Sequence, residues 1–340
     1  MLFQAPLDRG YLDSMSAERL SFSAQSLREM SAEVRCYVVD GSGRVGLDRE
    51  GRLAQGTFSE SADVWLLGRT VDKVIHCAVW LGGSNTPSDF HTNAVTDKSS
   101  LSPEAMAASG WETDSWENVN FVSLTEVGAE LPDDEALIGA QAVALAKWHA
   151  DTRFCSRCGE RVIPTEAGWA TTCRDCGHVE YPRTDPAIIV LITDAQDRIL
   201  LGHNAAWPDS TMSLTAGFIE AGETPNRTVA REAYEELGIR ISQVRYVGAQ
   251  PWPGPRSLML AYTAKIDEPS FVTSASGVVH HAPKEPEVTP DGVEIDYAKF
   301  FTRDEYRDAL TSGTVKAPRR ASIAHAMLVQ WFGGPLPEPV

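Results

Sequence analysis

Four cysteines constrain this 340-residue chain more than any other feature. They stand as Cys155-x2-Cys158 and Cys173-x2-Cys176, with fourteen residues between the pairs. A tight turn at each pair points two thiolates at one centre. Two such turns supply the four soft ligands of a tetrahedral Zn2+ site. Gly159 and Gly177 follow the pairs, where a small residue relieves crowding. A redox pair is the alternative, but one Cys-x-x-Cys would serve it, and the thioredoxin-like context is missing. A catalytic zinc fits less well, because four protein ligands leave no position for water. A module this short buries little core, so the metal is expected to supply its fold. Cys36 and Cys77 lie in apolar surroundings and read as core residues.

Composition bounds the rest. Hydrophobic residues make up 43% and charged residues 23%, which excludes a wholly disordered chain. At roughly 100–200 residues per domain, the length accommodates two or three domains. Acidic residues outnumber basic ones 47 to 30, a net −17. A nucleic-acid grip needs clustered Lys and Arg, so the balance disfavours a purely electrostatic one, apart from a local cluster at Lys316, Arg319 and Arg320. The longest compact apolar run, Ala187–Ile192, falls far short of the roughly 18 residues of a membrane helix. Met1–Gly10 lacks the basic-then-apolar pattern of a secretory signal. The expected location is the cytoplasm, with no membrane partner.

Before the cysteines, strands are expected at Arg35–Asp40, Asp63–Leu67 and Lys73–Leu81, and a helix at Ala136–His149. After them, strands are expected at Ala187–Thr193, Arg198–Gly202, Val244–Gly248 and Leu258–Ile266. A helix should start at an N-cap, Thr224, with Pro225 in its first turn, and stop at Gly238. Asp267–Gly292 carries four prolines and reads as a long loop. Ser322–Phe332 reads as a terminal helix.

The helix after Thr224 carries chemistry. Glu232, Glu235 and Glu236 stand at i, i+3 and i+4, which places three carboxylates on one face. Crowded carboxylates repel unless a cation sits among them, and hard oxygen ligands suit Mg2+ or Mn2+. Three glutamates alone would be read as a solvated acidic face. Their surroundings change that weighing: Gly217 and Gly222 let a loop lie close to the helix, and Glu223 is placed to return to Arg231.

The whole stretch, Gly217-Phe-Ile-Glu-Ala-Gly-Glu223, seven residues, then Arg231-Glu232-Ala-Tyr-Glu235-Glu236-Leu-Gly238-Ile239, resembles the Nudix box, Gly-x5-Glu-x7-Arg-Glu-U-x-Glu-Glu-x-Gly-U. Every fixed position is present, and Ala233 fills the first aliphatic slot. A second motif, Gln250-Pro-Trp-Pro-Gly-Pro-Arg-Ser257, resembles the Ser-Gln-Pro-Trp-Pro-Phe-Pro-x-Ser loop of NADH pyrophosphatases. The cysteine module, Tyr181-Pro182 and Ser322-Ile323-Ala324 are similar to that family too.

The resemblance implies an α+β protein: a Nudix α/β/α sandwich preceded by a zinc ribbon and a degenerate Nudix-like N-terminal domain. The implied division is 1–135 for the N-terminal domain, 136–150 for a connecting helix, 151–182 for the ribbon and 183–335 for the catalytic domain. The implied activity is metal-dependent hydrolysis of the diphosphate of NADH or NAD+, giving reduced or oxidised nicotinamide mononucleotide and AMP. NAD-capped RNA is a further substrate. It also implies a homodimer sharing substrate contacts, one structural zinc per chain and catalytic Mg2+ or Mn2+.

Carried over residue by residue, Glu232, Glu235 and Glu236 correspond to the metal ligands. Glu235 and Glu236 are candidates for the general base, and Arg231 orients the site. Ala216 and Phe218 correspond to ligand contacts beside the box, and Tyr181 to an aromatic near the nicotinamide. Gln250, Pro251, Trp252, Pro253, Gly254, Pro255, Arg256 and Ser257 correspond to the substrate loop, and Ala324 to a late backbone contact. Two departures stand out: Gly254 replaces the family's Phe, and Tyr297 aligns with a metal-site glutamate. Glu294 or Asp296 would replace that carboxylate in a shifted register. The competing readings are a hydrolase of another dinucleotide and a Nudix-fold nucleotide sensor with weakened catalysis.

Overall fold

The computed structural model describes residues 3–30, 33–59, 62–82, 110–113, 116–254, 256–267, 271–273, 279–281 and 287–339. Pro255 therefore lies outside the described residues. The chain divides into two compact units. One comprises Pro6–Thr184 and Pro251–Ser257, the other Met1–Ala5, Asp185–Gln250 and Leu258–Val340. Among the described residues, no helix is long and apolar enough to cross a membrane.

The first unit is built on β1 (Val34–Val39), β2 (Val45–Leu47), β3 (Val64–Arg69), β4 (Ile75–Trp80) and β5 (Asn120–Val122), in the order β3-β4-β1-β2-β5. β1 and β4 run parallel, with Cys36 opposite Cys77. Both cysteines are buried in the core, as their apolar neighbours predict. Helix α1 (Asp133–Asp151) opens on Asp133, Asp134 and Glu135, whose charges favour the helix N-terminus. The ribbon follows as β6 (Val162–Thr165), β7 (Ala170–Cys173) and β8 (Val179–Glu180), with β7 in the centre.

In the second unit, β9 (Asp185–Thr193), β10 (Ile199–Asn204), β11 (Thr215–Phe218), β12 (Ile241–Trp252), β13 (Ser257–Ile266) and β16 (Ile295–Phe301) make one sheet. Its order is β12-β13-β9-β10-β16, with β11 also on β9. The unbroken apolar run of β9 is explained by burial on both faces. Ile188, Val190 and Ile192 pack with Val229, Ala233 and Leu237 of α2 (Pro225–Leu237). Ile189 and Leu191 pack with Tyr306 and Leu310 of α3 (Arg303–Thr311), and with Ile323, Met327 and Trp331 of α4 (Ile323–Phe332). Helices on both faces of one sheet make the α/β/α sandwich expected from the sequence.

Three expectations need correction. Asp267–Gly292 is not loop throughout, because β14 (Phe271–Thr273) pairs with β15 (Val279–His281). Helix α3 was missed, although Thr302 and Glu305 form a reciprocal capping box at its start. β12 runs on through Gln250, Pro251 and Trp252, so the motif's first residues are strand, not loop.

Candidate active site

The box is organised by Arg231. Its Nε donates to Glu223 Oε1 and its Nη2 to Glu223 Oε2, both at 3.0 Å, the predicted ion pair. Nη2 also donates to the Phe218 carbonyl at 2.9 Å. Nη1 donates to Glu232 at 2.8 Å and to Glu235 at 2.9 Å. One planar guanidinium thus joins the loop, β11 and the carboxylate face of α2, a role its fork of donors suits better than lysine's point charge. Hydrogen bonds from Arg231 are the largest cause that lowers the Glu223 carboxyl to about 2.

The loop is held from both ends. Glu223 also accepts from the Glu220 amide and the Thr228 hydroxyl. Thr224 sits at the N-cap, but its side chain makes no capping bond. Gly238 takes the left-handed conformation that ends α2 (φ +67). Gly217 is required by contact: a Cβ there would lie 1.9 Å from Glu232 Oε1. Gly222 is required for its backbone instead, with φ +83 and open space beside it.

Glu236 is the buried member of the trio, at 5% exposure, and among the described residues its Oε2 has no hydrogen-bond partner. Burial, then the charges of Glu232, Glu294 and Asp291, raise its carboxyl to about 8. Burial also raises Glu232. Such an arrangement is costly unless a cation compensates it. An orphaned carboxylate oxygen among further carboxylates is a hard, anionic donor set that fits Mg2+ or Mn2+.

Asp291 was not anticipated. Its amide donates to the Glu236 carbonyl at 3.1 Å, and the Thr289 amide donates to Leu237. Its side chain accepts from the amides of Val293, Glu294 and Ile295, fixing the turn into β16. The available signal was Pro290-Asp291-Gly292, turn chemistry inside the segment read as loop. Glu294 follows in that turn, whereas Asp296 pairs with His203 Nδ1 at 2.6 Å. Tyr297 is 51% exposed and lines a groove of about 560 Å3 with Asp209, Lys299, Glu305 and Asp308. Of the alternatives for the family's glutamate, Glu294 is the one whose charge reaches Glu232 and Glu236.

The other motif residues divide. Gln250 is fully buried and donates to the Ala321 carbonyl at 2.9 Å, so it braces the segment leading to Ala324. Ala324 itself is buried in the sandwich core. Ala216 is half-buried against that core, and Phe218 is exposed. In the other unit, Tyr181 is exposed, with its hydroxyl 3.4 Å from Glu166. Pro251, Trp252, Gly254 and Arg256 are half-buried, while Pro253 and Ser257 are buried.

The four ribbon sulfurs lie within 4.8 Å of one another, with separations of 3.4, 3.5 and 3.7 Å for three of the pairs. A tetrahedral ion with bonds of about 2.3 Å places sulfurs about 3.8 Å apart, so the cage fits zinc. Among the described residues, no other group of three or more Cys, His, Asp or Glu side chains converges as closely. Gly159 (φ +80) and Gly177 (φ +68) have open space around them. The glycines therefore serve the left-handed turn after each pair and not the relief of crowding expected from the sequence.

Comparison with known proteins agrees with these two centres. Residues 183–323 match the NUDIX domain model, and residues 150–181 match the NADH pyrophosphatase zinc ribbon domain. The chain thus carries a region similar to the NUDIX domain, directly preceded by one similar to the NADH pyrophosphatase zinc ribbon. It is 39% identical over 218 residues to a Mycobacterium tuberculosis protein named NAD-capped RNA hydrolase NudC, covering 62% of this chain and 64% of that one. It is 34% identical over 215 residues to human NAD-capped RNA hydrolase NUDT12, covering 60% and 43%. The chain thus spans under two thirds of the length of either relative. A solved NUDIX hydrolase from Nitrosomonas europaea is 21% identical, with a TM-score of 0.39, over 54% of this chain and 94% of that one.

Proposed function

We propose that the protein hydrolyses the diphosphate bond of NADH or NAD+ to AMP and the nicotinamide mononucleotide, and that it acts on NAD-capped RNA ends as well. The observation that carries this reading is the box itself: Arg231 clamps Glu223, Glu232 and Glu235, and Glu236 stands buried with a bare oxygen. The names of the two relatives, both NAD-capped RNA hydrolases, and the ribbon type favour a NAD-derived substrate.

Glu232, Glu235 and Glu236 would hold Mg2+ or Mn2+, with Glu294 adding charge. The bound metal would neutralise the diphosphate and acidify a water. Glu235 or Glu236 takes the proton from the attacking water, which adds to phosphorus as the second phosphate leaves. Arg231 keeps Glu232 and Glu235 oriented and does not react. Trp252 and its prolines form a stiff wall for a flat ligand, with little conformational freedom to lose on binding. Residues 1–135 serve as a degenerate Nudix-like domain, and two chains act together as a homodimer.

A second reading, a nucleotide sensor with weakened catalysis, rests on Tyr297 standing where the family has a metal-site glutamate. Turnover of NADH, NAD+ and ADP-ribose in Mg2+ and in Mn2+ separates the two. Metal-dependent cleavage supports the hydrolase. Calorimetric binding without cleavage in either metal supports the sensor.

A further inference from the structure

Lys316, Arg319 and Arg320 take no part in the chemistry above. They stand exposed in the second unit, on the segment between α3 and α4. All three line a groove of about 570 Å3. Leu310 of α3, Val329 of α4 and the proline-dense tail Pro335-Leu-Pro-Glu-Pro339 share its lining. Among the described lining residues, these cations face one carboxylate, Glu338. The whole chain is the reverse, with 47 acidic residues to 30 basic. A basic groove on an acidic protein concentrates positive potential at one place.

The cations ride on a pinned backbone. The Lys316 amide donates to the Ser210 carbonyl at 2.7 Å, and Thr211 bridges to Lys316 in parallel. The Pro318 carbonyl accepts from His325 Nδ1 at 3.0 Å. The Arg319 carbonyl accepts from the Ser322 amide at 2.9 Å and from its hydroxyl at 2.7 Å. A fixed backbone leaves less freedom to lose when an anion docks. Both arginines have interactions of their own, but a guanidinium carries more donors than one partner uses. The segment also runs straight into the site. Arg320 precedes Ala321, whose carbonyl Gln250 holds, and lies at most about 14 Å from Ala324 however the chain runs.

A short row of cations suits a chain of phosphates, because each contact releases a counterion and the contacts add. A basic groove that tracks the backbone is how proteins hold single strands without reading their sequence. We propose that Lys316, Arg319 and Arg320 bind the phosphodiester backbone of single-stranded RNA continuing from an NAD cap. This deepens the capped-RNA reading given above and rests on it.

Fluorescence anisotropy of the zinc-loaded full chain with a labelled, uncapped RNA of about ten nucleotides tests this, without added Mg2+ or Mn2+. Combining Lys316→Gln, Arg319→Gln and Arg320→Gln should weaken binding at least about tenfold at about 0.1 M salt. The slope of log K against log salt should flatten by about two, at roughly 0.7 for each phosphate contact. Arg240→Gln with Arg245→Gln, exposed positions outside the groove, should leave binding within about twofold. In kinetics with metal, KM for a short NAD-capped RNA should rise at least about tenfold in the triple variant, and KM for NADH, which has no RNA chain, by less than about twofold. Unchanged RNA affinity and salt slope in a triple variant with wild-type Tm overturns the proposal. So does a wild type that binds no RNA at low salt, or an equal loss in the Arg240 and Arg245 variant, which would mean diffuse charge. An equal rise in KM for NADH overturns it too, by placing the cluster at the diphosphate. If the wild type cleaves neither substrate, the hydrolase reading fails, and the anisotropy still decides whether the cluster holds RNA.

Discussion

At the scale of single residues, the box depends on space as much as on charge. Gly217 leaves room for Glu232 and for nothing larger than hydrogen. Gly217→Ala should push the Glu232 carboxylate aside and lower turnover at least tenfold, a rough figure for a misplaced catalytic group. Thermal melting should shift by only a few degrees, since β11 keeps its pairing with β9. Wild-type turnover with the alanine would show that Glu232's position is not critical. The box was legible in the sequence because all its spacings lie within 23 residues, Gly217 to Ile239, of local structure. Asp291 was not legible as a neighbour of Glu236, because a long connection brings it back to the end of α2, whereas Glu294 was one of the two carboxylates expected to replace the family's glutamate. Gln250 was read as a substrate contact because nothing local reveals a bond to a carbonyl 71 residues away.

At the scale of elements, the ribbon is the part most dependent on something outside the polypeptide. Its three short strands are pinned by two cysteine turns, and no sizeable core lies within it. One zinc per chain is expected by elemental analysis. Chelation should release the metal and melt the ribbon first, seen as new proteolytic cleavage between 151 and 182, while residues 185–250 stay protected. Stoichiometric zinc loss with no new cleavage would contradict a folding role for the metal. The ribbon was legible because ligand spacing is a local code. Helix α3 was legible in principle from Thr302-Arg303-Asp304-Glu305, a capping box overlooked beside stronger motifs. The β14–β15 pairing was hidden among prolines and small residues that read as loop.

At the scale of the whole molecule, the two units should respond differently to acid. In the first unit, His76 sits in a buried relay. The Thr70 hydroxyl donates to Asp72, so it accepts from His76 Nε2, which leaves Nδ1 to accept from Tyr37. His149 is buried against Trp65 and Trp148 and bonds the Gly168 carbonyl. Burial is the main cause that lowers both imidazoles to about 4. The folded state binds these protons less readily than the unfolded chain, which takes them up near pH 6.5. Stability from the two is fully present above about pH 6.5 and is lost as pH falls toward 4, by about 2–3 kcal/mol for each histidine. Urea melts at pH 7, 6 and 5, followed by tryptophan fluorescence, should show this loss. His149→Gln should flatten the slope, and an unchanged slope would rule out His149 as its source.

The central claim is that the carboxylate face of α2 cleaves a dinucleotide at its diphosphate. Mass spectrometry of products from NADH, in Mg2+ or Mn2+, with wild type beside Glu235→Gln, tests it most directly. The account predicts AMP and reduced nicotinamide mononucleotide from the wild type only when metal is present. It predicts at least a tenfold slower release from a variant with unchanged melting, a rough figure for losing a metal ligand or base. Equal product release by the variant, or release that ignores the metal, would contradict it.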